Sequence, residues 1–258
     1  MKASFDIAAQ TYDQSFTNTK IGKAQRNLVY KALTKHIKDC KDILEINCGT
    51  GEDAIWLAQQ NFKILATDIS ENMIAIGKTK NNYQNLTFDL LDITLLDEKM
   101  NLGAFDLVFS NFGGLNCLPK KELQHFFLNI SNHLTKNGKL ALVIMPKNTL
   151  WEQAYFLFKR KLSTAFRRKK EVAMANVDGE NVPTYYYNPK DIVNLAQTKF
   201  NFIESKPIGF FIPPSYLEPF FLNKSRFLNI LNYLENKIRN QSFLSKYADH
   251  YIIILQKK

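Results

Sequence analysis

The feature that most constrains this chain is an apolar run that breaks into a glycine turn and then a helix. Ile43-Leu44-Glu45-Ile46 leads into Asn47-Cys48-Gly49-Thr50-Gly51, and an amphipathic stretch follows from Asp53 to Gln60. Glycines at such a turn let the backbone approach a ligand closely, and the helix start offers unpaired N–H groups. Short apolar runs and longer amphipathic ones keep alternating as far as Lys147. They predict strands over 63–67, 86–88, 105–110 and 140–145, and helices over 71–80 and 120–134, the last closing at Lys136-Asn137-Gly138. Ser70 is the expected N-cap of the earlier of these helices, with Glu71 in its first turn. Repeated strand–helix units imply an α/β fold with a parallel sheet.

The remainder reads differently. From Leu150 to about Lys170, Trp151, Ala154, Tyr155, Phe158, Leu162, Ala165 and Phe166 recur at spacings of three and four, predicting one amphipathic helix with cations on its other face. Residues 182–187 fit a strand or a lining loop, 189–198 a helix, 200–211 a strand, 225–239 a long helix and 251–256 a last strand, with a break at Pro213-Pro214. The expectation is one domain with a Rossmann-like, doubly wound sheet, helices on both faces and an antiparallel last strand. Residues 1–40 would be an N-terminal helical segment, 41–147 the binding core, 148–190 a helical, aromatic lid between the fifth and sixth strands, and 191–258 the rest of the sheet.

Two cofactor types use a glycine turn of this kind. A dinucleotide site wants G-x-G-x-x-G, but Asn47 and Glu52 occupy two of the required positions, and the acidic Glu52-Asp53 pair repels a pyrophosphate. About 20 residues on, where an acid is expected at a strand end, stands Asp68. Then come Leu91-Asp92-Ile93 after the third strand and Phe105 to Phe112 as the fourth.

In this order and spacing the segments resemble the motifs of class I S-adenosylmethionine-dependent methyltransferases, whose first motif usually reads E-x-G-x-G-x-G. The departure is Asn47 for the first glycine; asparagine tolerates positive φ, so the turn can still form. The resemblance implies S-adenosylmethionine as cofactor, held by Glu45, Asn47, Cys48, Gly49 and Gly51 of the first motif. It puts Asp68 on the ribose hydroxyls, with Ile69 and Met73 beside it, and Asp92 on the adenine amino group, with Leu91 or Ile93 against the ring. Asn111 and Phe112 would stand at the methyl-transfer site. Phe5 to Asp13 is similar to the N-terminal helical segment of small-molecule methyltransferases, in which a tyrosine like Tyr12 closes over the methionine half. Leu150-Trp151-Glu152 through Ala165-Phe166-Arg167-Arg168, then Tyr186-Tyr187, Pro213-Pro214-Ser215-Tyr216 and Ala248-Asp249-His250-Tyr251, also look similar to an uncharacterised bacterial subgroup, which brings no substrate with it.

For the acceptor, Asn111-Phe112-Gly113-Gly114-Leu115-Asn116-Cys117 is the most promising segment, with Asn116 a candidate to orient a hydroxyl or carboxyl. His250 beside Asp249 is the candidate general base. Each has a structural alternative, a loop cap for Asn116 and a packed histidine for His250. The N-P-P-Y signature of nucleobase amine methylases is missing after the fourth strand, and Pro213-Pro214-Ser215-Tyr216 stands at the wrong place in the topology; it reads as a loop breaker at the pocket edge. No metal is expected, since His36, His125, His133 and His250 are dispersed. Aromatics crowd the C-terminal half, suggesting an apolar acceptor pocket.

The leading expectation is methyl transfer to a small apolar or aromatic acceptor, chiefly O-methylation. The alternatives are a lipid or quinone-precursor methyltransferase at a membrane surface and, in another class, a non-catalytic cofactor-binding or RNA-associated protein. Of the net charge of +10, seven cations fall between Lys159 and Lys170 with no acid among them. They read as a solvated helix face, an anionic-membrane contact or a phosphate-binding surface; nucleic acid ranks last because no RNA-binding module accompanies them. Three cysteines without C-x-x-C spacing suggest a reducing compartment. The expected location is the cytoplasm, the alternative being the inner membrane face, reached through the basic helix.

Overall fold

The apolar run after Lys41 forms an interior strand of a seven-stranded sheet. The computed structural model describes residues 6–177 and 180–258. Its strands are β1 (Asp42–Ile46), β2 (Lys63–Asp68), β3 (Leu86–Leu90), β4 (Phe105–Ser110), β5 (Leu134–Ile144), β6 (Ala173–Val177), β7 (Glu180–Thr184), β8 (Phe200–Ile208) and β9 (His250–Lys257). The sheet order is β3-β2-β1-β4-β5-β9-β8, and β6 and β7 form a separate antiparallel pair. β1 to β5 run parallel, while β9 lies antiparallel between β5 and β8.

The helices are α1 (Ala9–Tyr12), α2 (Lys20–Leu33), α3 (Glu52–Gln59), α4 (Glu71–Lys80), α5 (Lys120–Ile130), α6 (Leu150–Phe158), α7 (Leu162–Ala165), α8 (Pro189–Ala196), α9 (Glu218–Phe221) and α10 (Ser225–Ile238). Strand side chains alternate between two cores. Ile43, Ile64, Leu107, Val143 and Ile252 pack with α2, α3 and α10 through Val29, Leu57 and Leu231. Leu44, Val108, Leu142 and Ile253 pack with α5 and α8 through Phe126, Phe127 and Ile192. Cover on both faces explains why these strands are apolar throughout rather than alternating with polar residues. Ser70 caps α4 as expected, its Oγ accepting from Met73 N at 3.2 Å.

Three expected boundaries are corrected. α5 stops at Ile130, a short 3-10 turn follows, and β5 begins at Leu134, opposite Phe105. Lys136-Asn137-Gly138 is therefore an irregularity inside the strand, because buried Leu134 gains a sheet partner that a helix end would deny it. The strand expected over 200–211 ends at Ile208, where Glu235 of α10 accepts the backbone N–H groups of Gly209 to Ile212. The single helix expected from Leu150 to Lys170 is broken into α6, α7 and a 3-10 turn at Arg167–Lys169. Arg160 turns the chain with a φ of 56°. Arg167 and Arg168 then fold inward onto Glu152 and Asp249 instead of sharing a solvated face.

Candidate active site

The chain crosses from β1 to β2 and β3 on one side and to β4 on the other, so the carboxyl ends of β1 and β4 open a crevice at the switch point. Asn47, Gly49 and Gly51 all have positive φ, at 55°, 53° and 79°. Asn47 serves where glycine is usual because its amide is accommodated. Nδ2 donates to Ser110 Oγ at 3.2 Å, and Gly114 leaves the space; a Cβ there would lie 2.5 Å from the Asn47 side chain. A Cβ on Gly51 would lie 2.4 Å from the Phe88 ring.

A cavity of about 280 Å³ lies above this turn. Tyr12, Asn47, Gly49, Asp68, Ile69, Met73, Leu91, Asp92, Ile93, Asn111 and Phe112, all expected from the sequence, line it together. Asp68 closes β2 and is almost buried; its Oδ2 accepts from Gly49 N and its Oδ1 from Ser70 N, both at 2.9 Å. Burial pushes its carboxyl pKa up, against the lowering effect of these N–H groups. Asp92 accepts from Thr94 N at 2.9 Å and Thr94 Oγ1 at 2.6 Å, which aims it. Burial pushes the Tyr12 phenol up to about 12.

Three expected binding residues stand back from this cavity. Glu45 is 1% exposed, and burial followed by Asp53 pushes its carboxyl well above the usual range. Cys48 lines a small adjoining hollow, and Gly51 packs on Phe88. Both candidate catalytic residues have other contacts. The Asn116 amide is spent on backbone, donating to Met145 O at 3.2 Å and Tyr185 O at 2.5 Å and accepting from Met145 N at 2.9 Å. It ties the end of β5 to the segment after β7. His250 does not line the cavity; its ring meets Phe112 edge-on at 5.4 Å, and Nδ1 lies 3.2 Å from Asp249 without hydrogen-bond geometry. Pro213 and Pro214 also lie off the cavity lining.

Phe112 has a φ of 44°, a strained value for a bulky side chain. It is held between the Arg26 guanidinium, 5.2 Å from its ring centre, and Phe16 at 4.9 Å. Arg26 lies 2.5 Å from Asp53, which also accepts from Asn111 Nδ2 at 3.0 Å. No sequence signal singled out Arg26, a lone cation on an amphipathic helix. Asp13 was likewise not foreseen as a tie: it accepts from Thr50 Oγ1 at 2.6 Å and pairs with Lys80 at 2.9 Å, fastening the N-terminal turn over the glycine turn. Thr94, Gly114, Cys117, Leu118, Val182 and Pro183 complete the lining, the last two from β7.

This donor set suits a nucleoside joined to an amino-acid sulfonium. Carboxylates at Asp68 and Asp92 can accept from hydroxyl and amino groups, apolar Ile69, Leu91 and Ile93 can face a base, and bare Gly49 leaves a cradle that a Cβ would fill, 3.8 Å from Tyr12. Methyltransferase domains as a family match residues 43–138. The malonyl-[acyl-carrier protein] O-methyltransferase of Bacillus anthracis is 31% identical over 205 residues, 77% of this chain and 68% of that one. A candidate methyltransferase of Geobacillus sp. (strain WCH70) is 31% identical over 139 residues, 53% of this chain but only 56% of the relative's length. An S-adenosylmethionine-dependent methyltransferase from Clostridium acetobutylicum shares the fold, with a TM-score of 0.60 at 15% identity over 91% of each chain. With its motifs in family order around one cavity and relatives of this identity, the chain belongs to the class I S-adenosylmethionine-dependent methyltransferases.

Proposed function

We propose that this enzyme methylates a hydroxyl or carboxyl oxygen of a small, largely apolar acceptor that reaches the site already ionised. The observation that carries this reading is the cavity lining, whose titratable side chains are Tyr12, Asp68, Asp92 and Cys117. Burial pushes the Tyr12 phenol up to about 12 and the Cys117 thiol up to about 11, so both keep their protons at neutral pH. Asp68 and Asp92 belong to the cofactor end, and neither His250 nor Asn116 reaches the lining. An acceptor that brings its own anion needs only positioning. The O-methyltransferase name of the Bacillus anthracis relative agrees with this chemistry.

S-adenosylmethionine supplies an electrophilic methyl group on a sulfonium. The chain's part is to bind and orient. Asp68 accepts the ribose hydroxyls, Asp92 the adenine amino group, and Tyr12 covers the methionine half over Gly49. Phe112, fixed by Arg26 and Phe16, forms the wall against which the acceptor oxygen is aligned. Calorimetric titration of Asp68→Asn should show S-adenosylmethionine affinity falling between about 10- and 100-fold, the loss of charge-assisted hydrogen bonds. Unchanged affinity would overturn this placement. His250→Gln should keep activity within about tenfold, whereas losing a general base costs roughly 100- to 10,000-fold. The pH profile of kcat/KM should then follow ionisation of the acceptor.

A further inference from the structure

We propose that the knuckle between α6 and α7 docks on an anionic lipid bilayer, seating Phe158 and Leu162 at the headgroup level. Helical periodicity assigns both residues to a buried stripe, yet Phe158 is 88% exposed and Leu162 65% exposed. The cause is local. α6 ends at Phe158, and Arg160 takes the left-handed conformation at a φ of 56°, so the chain reverses and the two side chains project from the turn. A left-handed arginine is disfavoured, and strain of this kind persists where surrounding structure imposes it.

The surroundings are firm. Arg167 binds Glu152 of α6 at 2.6 Å, and buried Arg168 bridges Glu152 and Asp249 at 2.9 Å each. The seven clustered cations thus divide into two that point inward and brace the knuckle and five that point outward. Lys159, Arg160, Lys161, Lys169 and Lys170 are exposed, and among the described residues none lies in an ion pair. The outward cations surround exposed Leu157 and Phe166 as well. Large apolar side chains at an apex, ringed by cations free of ion pairs, match an anionic bilayer, where the apolar groups enter the interface and the cations meet lipid phosphates. An acidic protein partner would have to offer a shaped apolar pocket for Phe158 and Leu162 as well as its charges, whereas the bilayer interface takes both without shape matching. This docking is independent of which acceptor the enzyme methylates.

The test is vesicle flotation of the full chain with phosphatidylcholine vesicles, with and without phosphatidylglycerol. Binding is expected with phosphatidylglycerol, with release at high salt. The triple variant Lys159→Ala/Arg160→Ala/Lys161→Ala should bind roughly 100-fold more weakly, and Phe158→Ser about tenfold. S-adenosylmethionine titration of the same variants should match the unmodified chain, which separates lost docking from lost folding and from failure of the active-site assignment. No flotation with phosphatidylglycerol, equal flotation on uncharged vesicles, or normal flotation of both variants would overturn the proposal. So would capture of an acidic carrier protein by a chain that does not float.

Discussion

Asn47 shows how one residue sets the terms for its neighbours. Its φ of 55° suits glycine or asparagine, and its amide bonds Ser110 across the crevice. Asn47→Gly should therefore keep S-adenosylmethionine binding, losing about 1 kcal/mol with the hydrogen bond. Asn47→Val places a β-branched side chain at positive φ, costing a further 1–2 kcal/mol or so, and calorimetry should show binding fall sharply. Gly114 is the complement of Asn47: a Cβ there would meet the Asn47 side chain at 2.5 Å, so Gly114→Ala should impair binding by displacing the turn. Equal affinity for Asn47→Val and the unmodified chain would show that the turn does not govern the site.

Elements are joined to the site by buried polar ties. Arg168 fastens the segment after α7 to α6 through Glu152 and to the start of β9 through Asp249. Burial alone would raise the Asp249 pKa, but His250 and Arg168 reverse this and hold its carboxyl well below the usual 3.8. A depressed carboxylate contributes stability above its unfolded pKa, so that contribution is intact above 3.8 and drains away as pH falls below it. Arg168→Met leaves buried Asp249 without its arginine and Glu152 with Arg167 alone. Urea unfolding near neutral pH should show a loss of about 3–5 kcal/mol, with acid unfolding starting at a higher pH. Arg167→Met, whose side chain is 32% exposed, should cost much less.

At the scale of the molecule, the cavity draws its walls from the N-terminal turn, from the ends of β1, β2, β3 and β4 and from β7, so a ligand bound there links segments distant in sequence. S-adenosylmethionine at 100 times its Kd should add about 2.7 kcal/mol. For a chain of this length that raises Tm by roughly 5–10 °C. Differential scanning calorimetry checks this, and Asp68→Asn should lose most of the rise. No helix among the described residues is long and apolar enough to cross a membrane, so the proposed bilayer contact would be peripheral.

Local pattern and spacing determined the strand–turn–helix at Ile43 to Gln60, the acids at Asp68 and Asp92, and the sheet that brings them together. Short apolar runs, period-3.6 burial and positive-φ tolerance are written residue by residue, so each could be read before any contact was known. Tertiary structure alone decided the rest. Asn116 is a polar residue in a plausible place, but its side chain is spent on backbone far away in sequence, and His250 packs on Phe112 beside Asp249. Arg26 gained its place from Asp53 and Phe112, and the basic run divided because Glu152 and Asp249 captured two of its arginines. A side chain's polarity belongs to the sequence; what satisfies it is settled by folding.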